Sequence, residues 1–122
     1  MNPKQFLQWG GAILLLLAVL GFLNVRFGDA LWFDSAENYA HGVLGVVALV
    51  LAPLPLGDLK RWVVVLVGLV ALYFGVAGFM VASNSAPNWY GITNLEFLDN
   101  IVHLAVGVWA LAAAFMSNPA TA

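Results

Sequence analysis

The chain has 122 residues, 63% of them hydrophobic and 8% charged, with a mean hydropathy of +0.95 and a formal charge of −2. Soluble domains carry about 25% charged residues, so there is too little polar surface here to cover the chain in water, and an integral membrane protein is expected. Four basic residues scattered along the sequence make no nucleic-acid patch, and the lack of cysteine excludes disulfides, thiolate metal sites and thiol catalysis.

A membrane span needs about 20 largely apolar residues. The first candidate helix, at about residues 5–25 around "AILLLLAVLGFL", meets that length. Lys4 precedes it as in a signal peptide. The run is longer than the roughly 7–15 residues of a signal-peptide core, however, and only "NVRFGDA" follows where a cleavage site would stand, so a retained helix is expected. The second, about 36–54, is apolar only after His41 ("GVLGVVALVLAPLPLG") and spans comfortably only if it begins at the Glu37–Asn38 turn. The third, about 61–82, "WVVVLVGLVALYFGVAGFMVA", is long enough unaided. The fourth, about 97–116, resembles the second: "IVHLAVGVWALAAAFM" is short unless the helix starts at Asp99–Asn100.

The few charges divide by side. Lys4, Lys60 and Arg61 flank one set of helix ends, whereas Asp29, Asp34, Glu37, Glu96 and Asp99 flank the other with only Arg26. The positive-inside rule then places both termini in the cytoplasm, with the chain in the plasma (inner) membrane. Trp32, Trp89, Tyr39 and Tyr90 fall at the outer interface and Trp9 and Trp62 near the inner one, where amphipathic rings settle.

Residue subtraction reveals an internal repeat. Glu37 and Asp99, Asn38 and Asn100, His41 and His103, Gly45 and Gly107, Ala48 and Ala110, and Ala52 and Ala114 are all 62 residues apart. In the preceding helices, Gly11 and Gly68, Ala18 and Gly75, Gly21 and Gly78, and Val25 and Ala82 are 57 apart, which leaves five extra residues in the second outer loop. Asn38, His41, Gly45, Ala48 and Ala52 follow alternating three- and four-residue steps. So do Gly68, Ala71, Gly75, Gly78 and Ala82. This is the seam of left-handed helix packing. Between helices in lipid, small residues along a seam serve mainly to let backbones approach, which assigns Gly45, Ala48, Ala52, Gly68, Gly75, Gly78, Gly107, Ala110 and Ala114 to helix–helix contacts. The expected fold is all-α: a single-domain, four-helix up-down bundle made of two tandem hairpins, residues 1–57 and 58–122. Two spans per copy put both copies the same way up, related by a pseudo-twofold axis along the membrane normal.

Glu37 and Asn38 precede His41 by four and three residues, as Asp99 and Asn100 precede His103, so each trio can share one helix surface. The acids suit the positive end of a helix dipole. The asparagines suit caps or interhelical bridges. Each histidine sits about one turn inside the apolar boundary, where an unpaired imidazole is costly. Its partner is the acid of its own helix, the Asn of the other copy, or a bound species. In the structural reading, neutral His41 and His103 bridge helices. In the ligand reading, they coordinate haem, a chlorophyll-type pigment or, with Glu37 and Asp99, a metal ion. In a third, paired acid and His move protons or ions, although the inner half has no ionisable residue to complete a relay. The acid-to-His spacing of four, with no carboxylate on helices 1 and 3, departs from the diiron pattern. Ser35, Ser83 and Ser85 lie near the histidines without a strained nucleophile turn. No enzyme is expected.

The twice-used Asn-x-x-His-x-x-x-Gly pattern, "NYAHGVLG" and "NIVHLAVG", the second preceded by Asp99, resembles a bacterial family of small four-helix membrane proteins catalogued as domain of unknown function 4383. The resemblance covers nearly the whole chain. It implies Asn38, His41, Gly45, Asn100, His103 and Gly107 as signature residues and assigns no activity. Glu37 is a departure, since such proteins more often carry a neutral residue there. The expected role is a structural or accessory subunit that packs its Leu-, Val- and Phe-rich flanks against other membrane proteins or itself, without a cofactor. The alternative is a ligand-binding module built on His41 and His103.

Overall fold

A computed structural model describes residues 1–25 and 33–116. The expectations for Arg26, Asp29 and Trp32 lie outside the described residues. The described chain is all-helical: α1 is Pro3–Phe22, α2 Ser35–Leu51, α3 Leu59–Met80 and α4 Phe97–Phe115. The single β feature among the described residues is an isolated bridge between Trp89 and Thr93.

Helix boundaries follow from local chemistry. Three helices open on a capping box, in which the side chain of the N-cap residue accepts from the backbone N–H three residues on, and that residue's side chain accepts in return. The pairs are Asn2 with Gln5, Asp34 with Glu37, and Glu96 with Asp99. Pro3, in the first turn of α1, loses nothing by lacking an N–H that has no helical partner. α3 has no side-chain cap. Asp58 instead accepts from the Trp62 indole (3.1 Å) and pairs with Arg61 (3.0 Å).

The ends correct the expected boundaries. α1 stops at Phe22, not 25, because Asn24 turns left-handed (φ 58°) and the N–H groups of Asn24 and Val25 fold back onto Gly21 O and Leu20 O, the Schellman arrangement. α2 stops at Leu51, not 54, because Pro53 has no N–H to continue the ladder and disfavours helical backbone before it. Three helices, α1, α3 and α4, are long and apolar enough to cross a membrane; α2 is apolar but has 17 residues. At about 1.5 Å per residue α2 is some 26 Å long, against a hydrocarbon core of about 30 Å.

The helices associate chiefly as α1 with α2 and α3 with α4, while α1 also touches α3 and α4. Glycine permits the close approaches. A methyl on Gly11 would meet Gly45 O at 3.0 Å and the Ala48 methyl at 3.1 Å, and one on Gly68 would meet Gly107 O at 3.3 Å and the Ala110 methyl at 3.1 Å. Gly45, Gly68, Gly75, Gly78, Gly107, Ala52, Ala110 and Ala114 are buried, and Ala48 is half-buried. The core that joins the two pairs gathers Phe6, Leu7, Ala52, Val64, Ala110 and Ala114, with the Phe6 ring edge-on to Trp109 at 4.5 Å. Large apolar side chains such as Trp9, Leu16, Leu66, Val76 and Val108 point outward from the bundle, as suits helices solvated by lipid.

Candidate functional site: the paired acid, Asn and His clusters

All six candidate residues lie in the first two turns of α2 and α4. Glu37 and Asp99 are the third helical residues of their capping boxes, not caps themselves. Glu37 Oε2 accepts from Asp34 N at 3.0 Å, and Asp99 Oδ2 accepts from Glu96 N at 3.2 Å. Both side chains are buried, 8% and 4% exposed, and the two carboxyl groups are near enough for the charge on Asp99 to be felt at Glu37.

Asn38 and Asn100 do not cap either. The caps are Asp34 and Glu96, which present oxygen to the free N–H groups from just outside the helix, while the asparagines stand one turn further in. Each is buried against a glycine of the preceding helix, Asn38 on Gly21 and Asn100 on Gly78, so tightly that a methyl on either glycine would overlap the amide oxygen. Neither Oδ1 has a conventional hydrogen-bond donor. What faces each oxygen is the glycine Cα–H where a side chain would otherwise project, a weak donor that still offsets part of the cost of burial.

His41 and His103 are half-buried and close enough to interact electrostatically. Phe33 meets the His41 ring edge-on at 5.1 Å. Phe74 lies 5.9 Å from His103 and also packs against Trp89 at 5.1 Å. The Nδ1 atoms of both imidazoles are buried without a hydrogen-bond partner. Among the described residues no group of three or more His, Asp or Glu is disposed to hold a metal ion.

Several residues that organise this end do not stand out in the sequence. Asp34 caps Glu37 N at 2.9 Å with Oδ1, while its Oδ2 accepts from Thr93 Oγ1 at 2.7 Å and Asn94 N at 2.9 Å, tying the α3–α4 loop to the start of α2. Within that loop Asn88 exchanges two hydrogen bonds with Leu95, donating from Nδ2 to Leu95 O at 3.0 Å and accepting from Leu95 N at 2.8 Å. At the opposite end the buried Lys60 donates to Ala52 O at 2.8 Å, holding the last carbonyl of the α2 terminus. The capping role of Asp34 was legible as Asp-x-x-Glu before an apolar run. Its hold on Thr93 and Asn94 crosses some sixty residues, and no local pattern marks it.

No protein-family model, curated protein or solved structure matches the chain. The class that the fold itself defines is that of a small helical-bundle membrane protein, by the length and composition of three of its helices.

Proposed function

We propose that this protein is a structural or accessory membrane subunit, packing against other membrane proteins or against copies of itself, and is not an enzyme. The observation that carries the reading is the employment of the polar side chains. Asp34, Glu37, Glu96, Asp99 and Asn88 are engaged in holding helix starts and the α3–α4 loop, and Asn38 and Asn100 are closed over by glycine. The outward flanks carry large apolar groups suited to lipid or to neighbouring spans. The matched glycine–asparagine contacts, Gly21 on Asn38 and Gly78 on Asn100, support a chain of two tandem hairpins in an up-down bundle. We place α2 across the bilayer with the other three, both termini on the cytoplasmic side of the inner membrane, on the strength of the Lys60–Arg61 side. Kinship with the domain of unknown function 4383 proteins rests on the Asn-x-x-His-x-x-x-Gly motif.

A second reading is favoured by one observation, the two unpartnered Nδ1 atoms. In it His41 and His103 ligate haem, a pigment or a metal ion. A visible spectrum and metal analysis of the gently purified protein separate the two. A colourless, metal-free protein that copurifies in a larger assembly is the expected result. A Soret or pigment band lost in His41→Ala and His103→Ala would establish the ligand module instead.

A further inference from the structure

Asn38 and Asn100 are 5% and 1% exposed, yet their side chains have no hydrogen-bond partner among the described residues. Buried amides in this condition call for something further to satisfy them. Each lines a cavity at the acid-bearing end of its own helix pair. Asn38 does so with Asn24, Phe33 and Asp34, in a space of about 320 Å3; Asn100 does so with Phe79, Asn84, Asn94, Glu96 and Phe97, in one of about 540 Å3. Both volumes fall in the range of roughly 300–1,000 Å3 usual for small-ligand sites. The two cavities follow the repeat, since the N-cap acids Asp34 and Glu96 stand 62 residues apart, as Asn38 and Asn100 do. The amides are oriented alike. Each Oδ1 rests on the Cα–H of Gly21 or Gly78, and exchanging O and N would set an N–H against that C–H, so NH2 is the arm left for the cavity.

The chemistry of the larger cavity is amide and aromatic. Asn94 Oδ1 accepts from Asn88 N at 3.3 Å, which leaves its NH2, and Asn84 Nδ2 donates to Asn88 O at 3.5 Å, which leaves its Oδ1. Neutral donors and acceptors side by side match hydroxyl groups, which both give and accept. Phe79 and Phe97, 40% and 65% exposed with ring centroids 5.7 Å apart, add apolar surface for the C–H groups of a sugar ring. A phosphate fits poorly, because an acid walls each cavity and no basic side chain lines either among the described residues.

We propose that the two cavities are related sites for a neutral hexose head group carried on a membrane lipid, with Nδ2 of Asn38 and Asn100 donating to its hydroxyls. A lipid source suits the larger site, which lies between the end of α3 and the start of α4, both long and apolar enough to span the membrane, where exposed Phe79 and Phe97 give acyl chains a surface to follow. The inference goes beyond the accessory role proposed above and does not depend on it.

The test is native mass spectrometry of the full chain titrated in micelles with glucosyl diacylglycerol, with phosphatidylglycerol of the same acyl chains, and with free glucose, beside thermal melting of the same samples. The wild type is expected to bind up to two glucosyl diacylglycerol molecules, about tenfold tighter than phosphatidylglycerol, the worth of one net hydrogen bond. Asn38→Leu and Asn100→Leu keep the side-chain size and remove the amide. Each should weaken one of the two sites by about tenfold and melt no lower than the wild type, because an unsatisfied amide gives way to an apolar group. A purely structural role gives the reverse, a lower midpoint with affinity unchanged. Phe97→Ala alters an exposed ring and leaves the core untouched, so it keeps the test open where a leucine variant misfolds; it should weaken the α3–α4 site alone. Equal affinity for phosphatidylglycerol overturns the proposal, since only acyl chains would then be held. So does affinity unchanged in every variant, and so does free glucose bound as tightly as the lipid, which would place the ligand in solution.

Discussion

Asp34 accepts three hydrogen bonds with two oxygens, and the two oxygens act separately, Oδ1 capping α2 and Oδ2 holding the α3–α4 loop. Asp34→Asn can keep the cap through its amide oxygen, but it must then turn an NH2 toward the Thr93 hydroxyl and the Asn94 N–H. The expected outcome is faster amide exchange across residues 88–94 with the first turn of α2 still protected, at a cost of about 1–3 kcal/mol for the broken contacts. A second residue-scale prediction concerns the glycine–asparagine contacts. Gly21→Ala and Gly78→Ala each drive a methyl into a buried amide oxygen, and overpacking of this kind costs about 1–3 kcal/mol. Shortening the opposing residue should relieve the clash, so that Gly21→Ala/Asn38→Ala is destabilised by less than the sum of the single changes in denaturant unfolding.

At the scale of elements, α2 differs from its neighbours. Pro53 ends it early, and its 17 residues fall short of an average hydrocarbon core, so the bilayer must thin locally or the helix ends must draw toward the membrane interface. The protein is therefore expected to melt higher in vesicles of shorter-chain lipids than in longer-chain ones. A midpoint indifferent to chain length would show that α2 does not face lipid over its whole length. Lys60 closes the same helix from the other side of the α2–α3 turn by donating to Ala52 O. Lys60→Met keeps the apolar stem and removes the donor, so amide protection should fall in the last turn of α2 while α3 is unchanged.

At the scale of the whole molecule, the two helix pairs meet through unlike contacts at their two ends. One end is an apolar core, Phe6, Leu7, Val64, Ala110 and Ala114 among others; the other holds the buried acids Glu37 and Asp99 and the Asp34 latch. The orientation of the bundle is open to a direct test. A cytoplasmic reporter fused after Ala122 should be active, and one inserted in the 84–94 loop inactive; activity in the loop would reverse the assignment made from Lys4, Lys60 and Arg61.

What the sequence determined by itself was local or periodic. Hydropathy runs located four helices to within about a turn. Among the residues at equal offsets, Gly21 stands against Asn38 and Gly78 against Asn100, because a helix converts sequence spacing directly into a shared face. The capping boxes were equally legible in principle, since their partners lie three residues apart. The tertiary structure alone decided the rest. It took the asparagines out of the capping role and set them on glycines, and bound Asp34 to a loop some sixty residues away. Such pairings depend on how one helix pair is rotated and shifted against the other. That geometry is set by the summed packing of Phe6, Leu7 and Val64 against the alanines around them, and no single stretch of sequence encodes it.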